Sequence, residues 1–372
     1  MRYRCGIVLA MRVLHCADLH LERAFPGMPA PWPQRRRQAI RDALRRIVAL
    51  AAEHRVDALT IAGDLYEDDR ARGDTGAFLA EAFASLPCPV LIAPGNHDYW
   101  HPGGTYARQS WPANVHVFST PHLQAVAVGG TRIFGAAHVQ PKGSANFLER
   151  VRIPDGPPAV ALFHGAEVGQ LRFEDEGKGD HAPFAEAEIE RAGFAYALVG
   201  HYHRPRVTPR LCYPGNPEPL AFGEAGGAGA ALVDLAELPP RVTIHRVATF
   251  QTADVTVDVS DCTHRDAVVE RVRQALPDGD RTAVRVRCTG ELPPTVVVSA
   301  RQVASALEHQ RCVAIDWAVR PTLDLADLLN APDVRGEFVR ALHDRPDADS
   351  PLVQRALVAG LRALAGEDPG LR

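Results

Sequence analysis

Lysine is nearly absent from this chain of 372 residues, which contains only Lys142 and Lys178. Arginine therefore carries almost all of the positive charge, and together with the abundant alanine this composition is typical of a GC-rich genome. Arginine content alone is accordingly no evidence for DNA binding. The formal net charge of −4 also excludes a global basic field, so any binding to nucleic acid must come from a local patch.

Apolar runs of membrane-spanning length are lacking as well, because none approaches the roughly 20 residues that cross a bilayer. The apolar stretch before Met11 is too short for a secretory signal, and a start at Met11 instead of Met1 is an open alternative. The seven cysteines are odd in number and include no CxxC pair. They are expected to be small buried residues in a reducing cytosol, so we predict a cytoplasmic protein without a membrane segment.

Strands alternate with helices over the first two thirds of the chain, which favours an α/β architecture. Near-continuous apolar runs predict buried strands at 11–17, 58–63, 89–95, 159–165 and 195–201. An amphipathic helix is predicted over 34–54. Its first turns and outer face carry Arg35, Arg36, Arg37, Arg41, Arg45 and Arg46. These arginines form either a solvated face or contacts to a phosphate backbone.

The character of the sequence changes near residue 251. A β-α-β-α-β pattern over 251–320 indicates a second, smaller α/β domain after a first domain at 1–250, and residues 321–372 are predicted to be helical. The last helix has one apolar stripe, formed by Val353, Leu357, Leu361 and Leu364. That stripe packs either on the protein's own preceding helix or on a partner, because an isolated helix of this length is marginal in water.

Five short polar motifs come directly after apolar strands, and their residues are candidates for a metal site. They are Asp18-x-His20, Gly63-Asp64, Gly95-Asn96-His97-Asp98, His164 and Gly200-His201-x-His203. Loops at the carboxyl ends of strands converge on the ligand crevice of an α/β sheet. Each motif alone is weak, since a Gly-Asp pair is commonly a turn, but all five in this order are improbable by chance.

The residue types in these motifs suit divalent metals such as Mn²⁺, Fe²⁺ or Zn²⁺. A carboxylate can bridge two ions that lie about 3.5–4 Å apart, and such a pair polarises phosphoryl oxygens and lowers the pKa of a bound water. The glycines before Asp64, Asn96 and His201 are expected to let the backbone turn sharply. The other histidines are expected to be surface or packed residues, although His138 also ends a strand-like run.

This motif set resembles the calcineurin-like metallophosphoesterase superfamily over about residues 11–250. The resemblance implies a four-layer α/β/β/α sandwich, with two mixed sheets face to face and helices outside. It implies a first metal held by Asp18, His20 and His203, a second held by Asn96, His164 and His201, and Asp64 as the bridge. His97 would then be the general acid or a transition-state stabiliser, and Asp98 would orient it.

Within the superfamily, the chain resembles the SbcD-type DNA-repair exonuclease branch and its YhaO-like subgroup. The resemblance rests on LHCADLHLER (14–23), IAGDLYED (61–68), YALVGHYHRPRV (196–207), CYPGNPEPLAFGE (212–224) and the stretch at 96–118. The 212–224 segment separates this branch from simple phosphatases better than the metal motifs do. One departure is Glu67, since some relatives carry a catalytic or substrate-positioning histidine three residues after the bridging aspartate.

The resemblance implies a metal-dependent DNA nuclease with two divalent ions, Mn²⁺ first and Fe²⁺ or Zn²⁺ as alternatives. It implies DNA as a partner, residues 251–320 as a capping domain that helps position DNA, and an SMC-like ATPase of the SbcC type as a further partner; a homodimer is also allowed. One alternative is a phosphatase or phosphodiesterase acting on a small nucleotide or other phosphoester. Another is a non-enzymatic scaffold, which would be expected to lose metal ligands, and none is lost.

Overall fold

The computed structural model describes residues 11–364 except 27, 29, 72, 171–179, 225–228, 280, 294–295, 308–311 and 323–324. The alternative chain start lies outside these residues. The described chain divides into two compact units, the first ending at Thr252 and the second beginning at Ala253. The predicted boundary at 250/251 lies two residues earlier, and the helices beyond residue 321 belong to the second unit. Within the described residues, no helix combines the length and apolar character needed to cross a bilayer.

The first unit is built from strands and helices in alternation. Its strands are β1 (Arg12–Cys16), β2 (Ala58–Ile61), β3 (Val90–Ile92), β4 (Val115–Val117), β5 (Gln124–Val128), β6 (Thr131–Gly135), β7 (Ala159–His164), β8 (Tyr196–Gly200), β9 (Arg206–Val207), β10 (Leu211–Tyr213), β11 (Gly229–Asp234) and β12 (Arg241–Arg246). Its α-helices are α1 (Trp32–Glu53), α2 (Gly73–Ala84), α3 (Thr105–Arg108) and α4 (Ala187–Ala192). The five buried strands predicted from apolar runs are confirmed as β1, β2, β3, β7 and β8.

The strands form two mixed sheets of six strands each. One sheet has the order β12-β11-β1-β2-β3-β4, and the other has the order β5-β6-β7-β8-β10-β9. Strands β1 to β4 run parallel, as do β6, β7 and β8, while β11 and β12 continue the first sheet in antiparallel pairs. The carboxyl ends of β1, β2 and β3 therefore lie at one edge of the first sheet, and those of β7 and β8 lie at one edge of the second.

Alternating side chains of the central strands enter different cores, which shows how the layers stack. In β1, Val13 joins a core with Val160 and Leu198 of the second sheet, whereas Leu14 packs with Ile40 of α1. The second sheet has a further core on its other face, which contains residues of α4. Strands covered on both faces have near-continuous apolar sequences. The predicted four-layer α/β/β/α sandwich is confirmed.

The arginines of α1 are largely engaged within the first unit. The buried Arg36 lies over the ring of Phe250 and donates to the carbonyl of Pro219. Arg41 pairs with carboxylates of two other segments, Arg45 pairs with an aspartate of its own helix, and Arg46 donates to the carbonyls of residues 247 and 248. These contacts favour the structural interpretation of the basic helix over a phosphate-binding one.

The second unit contains a small α/β core followed by helices. Its elements are β13 (Gln251–Asp258), α5 (Arg265–Ala275), β14 (Thr282–Thr289), β15 (Glu291–Leu292), α6 (Ala300–Leu307), β16 (Cys312–Trp317), β17 (Arg320–Pro321), α7 (Leu325–Asn330), α8 (Val334–His343) and α9 (Pro351–Leu364). A sheet of order β13-β14-β16 packs its valines against α5 and α6. The predicted β-α-β-α-β pattern is confirmed, with β15 and β17 as an additional parallel pair.

The apolar stripe of α9 is covered over its first half by the second unit itself. Val353 and Leu357 are buried, and α9 packs against α8. The contact is close, because a Cβ at Gly360 would overlap the ring of Phe338. Leu364 is exposed at the far end of the helix. Of the two alternatives for this stripe, the structure favours packing on the protein's own preceding helix.

Candidate active site

The five predicted motifs converge at the carboxyl ends of β1, β2, β3, β7 and β8. Three groups of side chains there place ligand-type atoms within 4.8 Å of one another. The groups are Asp18, His20 and His203; Asp18, Asp64 and His164; and His20, Glu67 and His97. The predicted residues thus meet at one site, and Glu67 joins them.

Asp64 lies between two histidines that come from different sheets. Its Oδ2 atom is 3.6 Å from Nε2 of His20 and 3.5 Å from Nε2 of His164. Its other oxygen, Oδ1, accepts a hydrogen bond of 2.9 Å from the backbone N–H of His97. One carboxylate oxygen therefore faces both groups of metal-type ligands, which is the position that a bridging ligand requires.

The His20 side chain is oriented for coordination through Nε2. Its Nδ1 lies 3.0 Å from Oε1 of Glu67, and its buried Nε2 has no hydrogen-bond partner among the described residues. Burial lowers the pKa of His20 to about 4, so the ring is neutral and offers a lone pair. An unpaired buried nitrogen is costly unless a ligand takes it. The donor set therefore fits a cation at this point.

A second group of ligand-type atoms surrounds Nε2 of His164. The Nδ1–H of this ring donates to the backbone carbonyl of Ala62 at 2.9 Å, which leaves the lone pair on Nε2. That nitrogen lies 3.0 Å from Oδ1 of Asn96 and 3.1 Å from Nδ1 of His201. Burial, with the neighbouring histidines, holds the pKa of His164 well below its usual range. Neutral imidazoles with an amide oxygen suit a second divalent ion.

Glycines permit the close approach of the second and third motifs. Gly63 has φ +75°, and a Cβ there would lie 2.6 Å from the Cα of Gly95. A Cβ on Gly95 would overlap Oδ1 of Asp64. Gly95 and Gly200 do not have positive φ, so the expected need for a sharp turn is correct for Gly63, while the other two positions need space. The positive φ values fall on Asp18, His20, Asp64 and His201 themselves.

The ring of His97 contacts Glu67, not Asp98. Its Nδ1 lies 2.7 Å from Oε2 of Glu67, and its side chain is 42% exposed, so Nε2 is accessible to a substrate. Burial alone would lower the pKa of His97, but the hydrogen bond to Glu67 and the charge of Asp64 raise it to about 9. The expectation that Asp98 orients His97 is corrected here, because Glu67 occupies that position.

Asp98 instead joins the backbone of two motifs. Its Oδ1 accepts from the N–H groups of Asp64 and Gly95, and its Oδ2 accepts from the N–H of Leu65 and the hydroxyl of Tyr106. The residue is fully buried. All four donors approach the same carboxylate, so Asp98 fixes the backbone that carries Asp64 and Asn96 and leaves no oxygen for the His97 ring.

The sequence profile described as calcineurin-like phosphoesterase matches residues 11–205, which is more than half of the chain. The chain belongs to the calcineurin-like phosphoesterase family. Members of this family are metal-dependent hydrolases with a dinuclear site, and the convergent aspartates and histidines of this phosphoesterase provide one. All three ligand groups found within the described residues lie in its first unit.

Similar proteins support the expected branch of the family. The uncharacterized metallophosphoesterase YhaO of Bacillus subtilis (strain 168) is 28% identical over 300 residues, which is 75% of this chain and 72% of the relative. The DNA double-strand break repair protein Mre11 of Methanopyrus kandleri is 27% identical over 240 residues, or 58% of this chain and 50% of the relative. The SbcD component of the nuclease SbcCD of Rhodobacter capsulatus is 24% identical over 280 residues, or 61% and 67%. The resemblance to the SbcD-type branch is confirmed.

Two histidines that the sequence analysis placed outside the site of this phosphoesterase lie beside it. His138 is buried, and its Nε2 donates to the backbone carbonyl of His164 at 2.7 Å, while Ser144 donates to its Nδ1. The ring of His181 lies 5.3 Å from the ring of His201. The position of His138 at the end of a strand-like run was the only signal for it. His181 follows a loop and has no such signal.

Proposed function

We propose that this phosphoesterase is a metal-dependent DNA nuclease that hydrolyses phosphodiester bonds. The observation that carries hydrolysis is the position of Asp64 Oδ2 between His20 and His164, each with its Nε2 lone pair directed inward. DNA as substrate is supported by relatives that are named as a DNA double-strand break repair protein and as a component of a nuclease. The same site would serve a phosphodiesterase acting on a small nucleotide, which is the second candidate.

Each side chain of the site has a proposed part in binding or proton transfer. Asp18, His20 and His203 would hold one ion, Asn96, His164 and His201 would hold the other, and Asp64 would join them. When bound, a pair of divalent ions supplies positive charge to the phosphoryl oxygens and lowers the pKa of a bound water. Mn²⁺ is the proposed metal, with Fe²⁺ and Zn²⁺ as alternatives that the same ligands accept.

His97 is the proposed proton donor to the leaving oxygen. Its Nδ1–H points to the carboxylate of Glu67, so the imidazolium form presents Nε2–H on the accessible side of the ring. Glu67 also contacts Nδ1 of His20 at 3.0 Å. One carboxylate therefore orients both a proposed metal ligand and the proposed acid, a position where some relatives of this branch carry a histidine.

The proposal extends to location and partners. The described cysteines at 16, 88, 212, 262 and 288 are free and buried, which agrees with a reducing cytoplasm. The second unit is proposed to help position DNA. An SMC-like ATPase of the SbcC type is the proposed protein partner, since one relative is the SbcD component of the nuclease SbcCD. Co-purification with such an ATPase encoded in the same genome supports this part, and failure to form a complex at micromolar concentrations counts against it.

The experiment for the main proposal compares substrates at one metal concentration. The protein is loaded with Mn²⁺ and given end-labelled single-stranded and double-stranded DNA, a cyclic nucleotide, a mononucleotide and bis-p-nitrophenyl phosphate. We expect kcat/KM for DNA to exceed that for the cyclic nucleotide and the mononucleotide by at least about tenfold, which corresponds to about 1.4 kcal/mol. Because DNA is a polyanion, KM for DNA should also rise with salt.

The Asp64→Asn variant, purified in parallel, is the control for a contaminating nuclease. A preference for the cyclic nucleotide or the mononucleotide over DNA would move the assignment to the second candidate. DNA cleavage that persists unchanged in the Asp64→Asn preparation would show that the activity does not belong to this site.

A further inference from the structure

Residues 214–224, here called the Glu224 loop, contact the metal-type ligand His203 at two points. Oε1 of Glu224 lies 2.9 Å from Nδ1 of His203. The backbone N–H of Asn216 donates to the backbone carbonyl of His203 at 3.0 Å. The loop follows His203 closely in the chain, so the segment that distinguishes this branch of the family folds back onto the last metal-type motif.

The carboxylate of Glu224 is itself held in one orientation by its other oxygen. Oε2 accepts from the side-chain amide of Asn216 at 2.7 Å and from the backbone N–H of Leu220 at 2.6 Å. The backbone carbonyl of Glu224 accepts from the hydroxyl of Thr252. With Oε2 occupied by these donors, Oε1 remains directed at the His203 ring. A carboxylate oxygen can only accept a hydrogen bond, so the proton must lie on Nδ1 of His203.

A neutral imidazole with its proton on Nδ1 carries its lone pair on Nε2. His203 forms a compact group with Asp18 and His20, whose ligand-type atoms lie within 4.8 Å of one another. His20 shows the same arrangement, with Nδ1 on the carboxylate of Glu67. Partners on the second nitrogen fix the tautomer and orientation of metal-binding histidines, and their loss commonly lowers metal affinity 10- to 100-fold.

We propose that Glu224 is a positioning residue that fixes the tautomer of His203 for metal binding, and that the Glu224 loop is present to hold this carboxylate. This inference rests on the proposed two-metal site and goes beyond it. The loop would then mark the branch because it supports a metal ligand, and no direct contact between the loop and DNA is required.

The substitution Glu224→Gln tests this because it changes hydrogen-bond polarity with little change in shape. If the amide oxygen of glutamine accepts from Leu220 and Asn216, the NH₂ group faces His203 and requires Nδ1 to be an acceptor. The proton then moves to Nε2, where a metal would bind. If the amide turns over, its NH₂ group faces the donors of Leu220 and Asn216. Both arrangements disturb His203.

Glu218→Gln is the matched control from the same loop. Glu218 is buried, and its carboxylate accepts the backbone N–H groups of Thr249 and Phe250, with no contact to His203 among the described contacts of these residues. The two variants therefore lose a carboxylate in the same loop, but only one of them loses the carboxylate on a metal-type ligand. Damage to the loop alone would affect both variants in the same way.

The first measurement is a calorimetric titration of Mn²⁺ into metal-free protein. Wild type and Glu218→Gln should bind two ions per chain, and Glu224→Gln should show one of the two sites weakened about 10- to 100-fold. Equal affinity for both ions in Glu224→Gln would overturn the proposal, as would the same weakening in Glu218→Gln. If wild type binds no pair of ions, the proposed two-metal site fails first, so the two failures are distinguishable.

The second measurement does not depend on the variant folding or on activity. Nitrogen-15 NMR of histidine-labelled, metal-free wild type reports the tautomer of His203, and a His203→Gln sample assigns its signals. The proposal expects the proton on Nδ1 in wild type and a shift toward Nε2 in Glu224→Gln. A wild-type ring protonated on Nε2 alone would contradict the inference regardless of the titration.

Discussion

The Asp64→Asn variant is expected to lose phosphodiester hydrolysis by a factor of about 10⁴ or more. Asp64 Oδ2 faces His20 and His164 at 3.6 and 3.5 Å, so its loss removes a ligand from both proposed ions at once. Each catalytic ion contributes several kcal/mol of transition-state stabilisation, and about 1.4 kcal/mol corresponds to a factor of ten. Removing the shared ligand therefore affects both contributions.

Asparagine is the appropriate replacement because it preserves the rest of the Asp64 environment. Asp64 has φ +51°, a left-handed conformation that asparagine adopts more readily than most residues. The amide oxygen can still accept from the backbone N–H of His97, and the Asp64 N–H can still donate to Asp98. Metal content should fall together with rate, while the melting temperature of the metal-free protein should stay close to wild type.

The surface variant Asp42→Asn, on α1, is the control for the general effect of this substitution, since Asp42 pairs with Arg45 far from the site in the chain. It should retain both ions and full activity. An Asp64→Asn protein that keeps two ions and near wild-type turnover would remove Asp64 from the role of bridge.

The His97→Ala variant is expected to keep both ions but lose about 10²–10⁴-fold in kcat on DNA, the usual contribution of general acid catalysis. The side chain and the main chain of His97 have separate contacts. The ring contacts Glu67, whereas the backbone N–H donates to Asp64 and the backbone carbonyl accepts from Asp68. Truncating the ring should therefore leave the Asp64 carboxylate in place.

The leaving group separates an acid from a structural residue. The DNA leaving group is a poor one that needs a proton, while p-nitrophenolate leaves without protonation. The loss in kcat for His97→Ala should therefore be at least about tenfold smaller on bis-p-nitrophenyl phosphate than on DNA, in line with Brønsted behaviour. Equal losses on both substrates would refute the acid role, and a fall in metal content would indicate that His97 supports the ligands instead.

The positions of Asp18, Asp64, Asn96, His164 and His201 could be predicted because each follows a buried strand. Strand ends are readable from apolar runs, and parallel strands bring their carboxyl ends to one edge of a sheet. The bounds of these strands in the structure agree with the runs to within a few residues. This part of the site depends on local pattern and on one general rule of sheet topology.

The partners of these residues could not be predicted, because they depend on side-chain reach between distant segments. Glu67 contacts His20 across 47 residues, and Asp98 holds backbone N–H groups more than 30 residues away. Both positions carry a carboxylate next to a motif, but sequence does not show which histidine a carboxylate faces. The assignment of Asp98 to His97 failed for this reason, since adjacency in the chain is not adjacency of side chains.

The arginines of α1 show the same limit at the surface. A row of positive charge on a helix suggested either a solvated face or phosphate contacts. The structure gives Arg41 two carboxylate partners from other segments, 19 and 33 residues away, and buries Arg36. Short β10 (Leu211–Tyr213) was also missed, since three buried residues between loops give no periodic pattern. Its pairing with β8 is a tertiary effect.

The position of bound manganese tests the central claim most directly. Crystals of the wild-type protein grown with Mn²⁺ and measured at the manganese absorption edge would locate the ions from their anomalous scattering. The two-metal account predicts two peaks about 3.5–4 Å apart, one beside Asp18, His20 and His203 and one beside Asn96, His164 and His201, with Asp64 between them. A single peak within His20, Glu67 and His97, or no peak at the site at millimolar Mn²⁺, would contradict it.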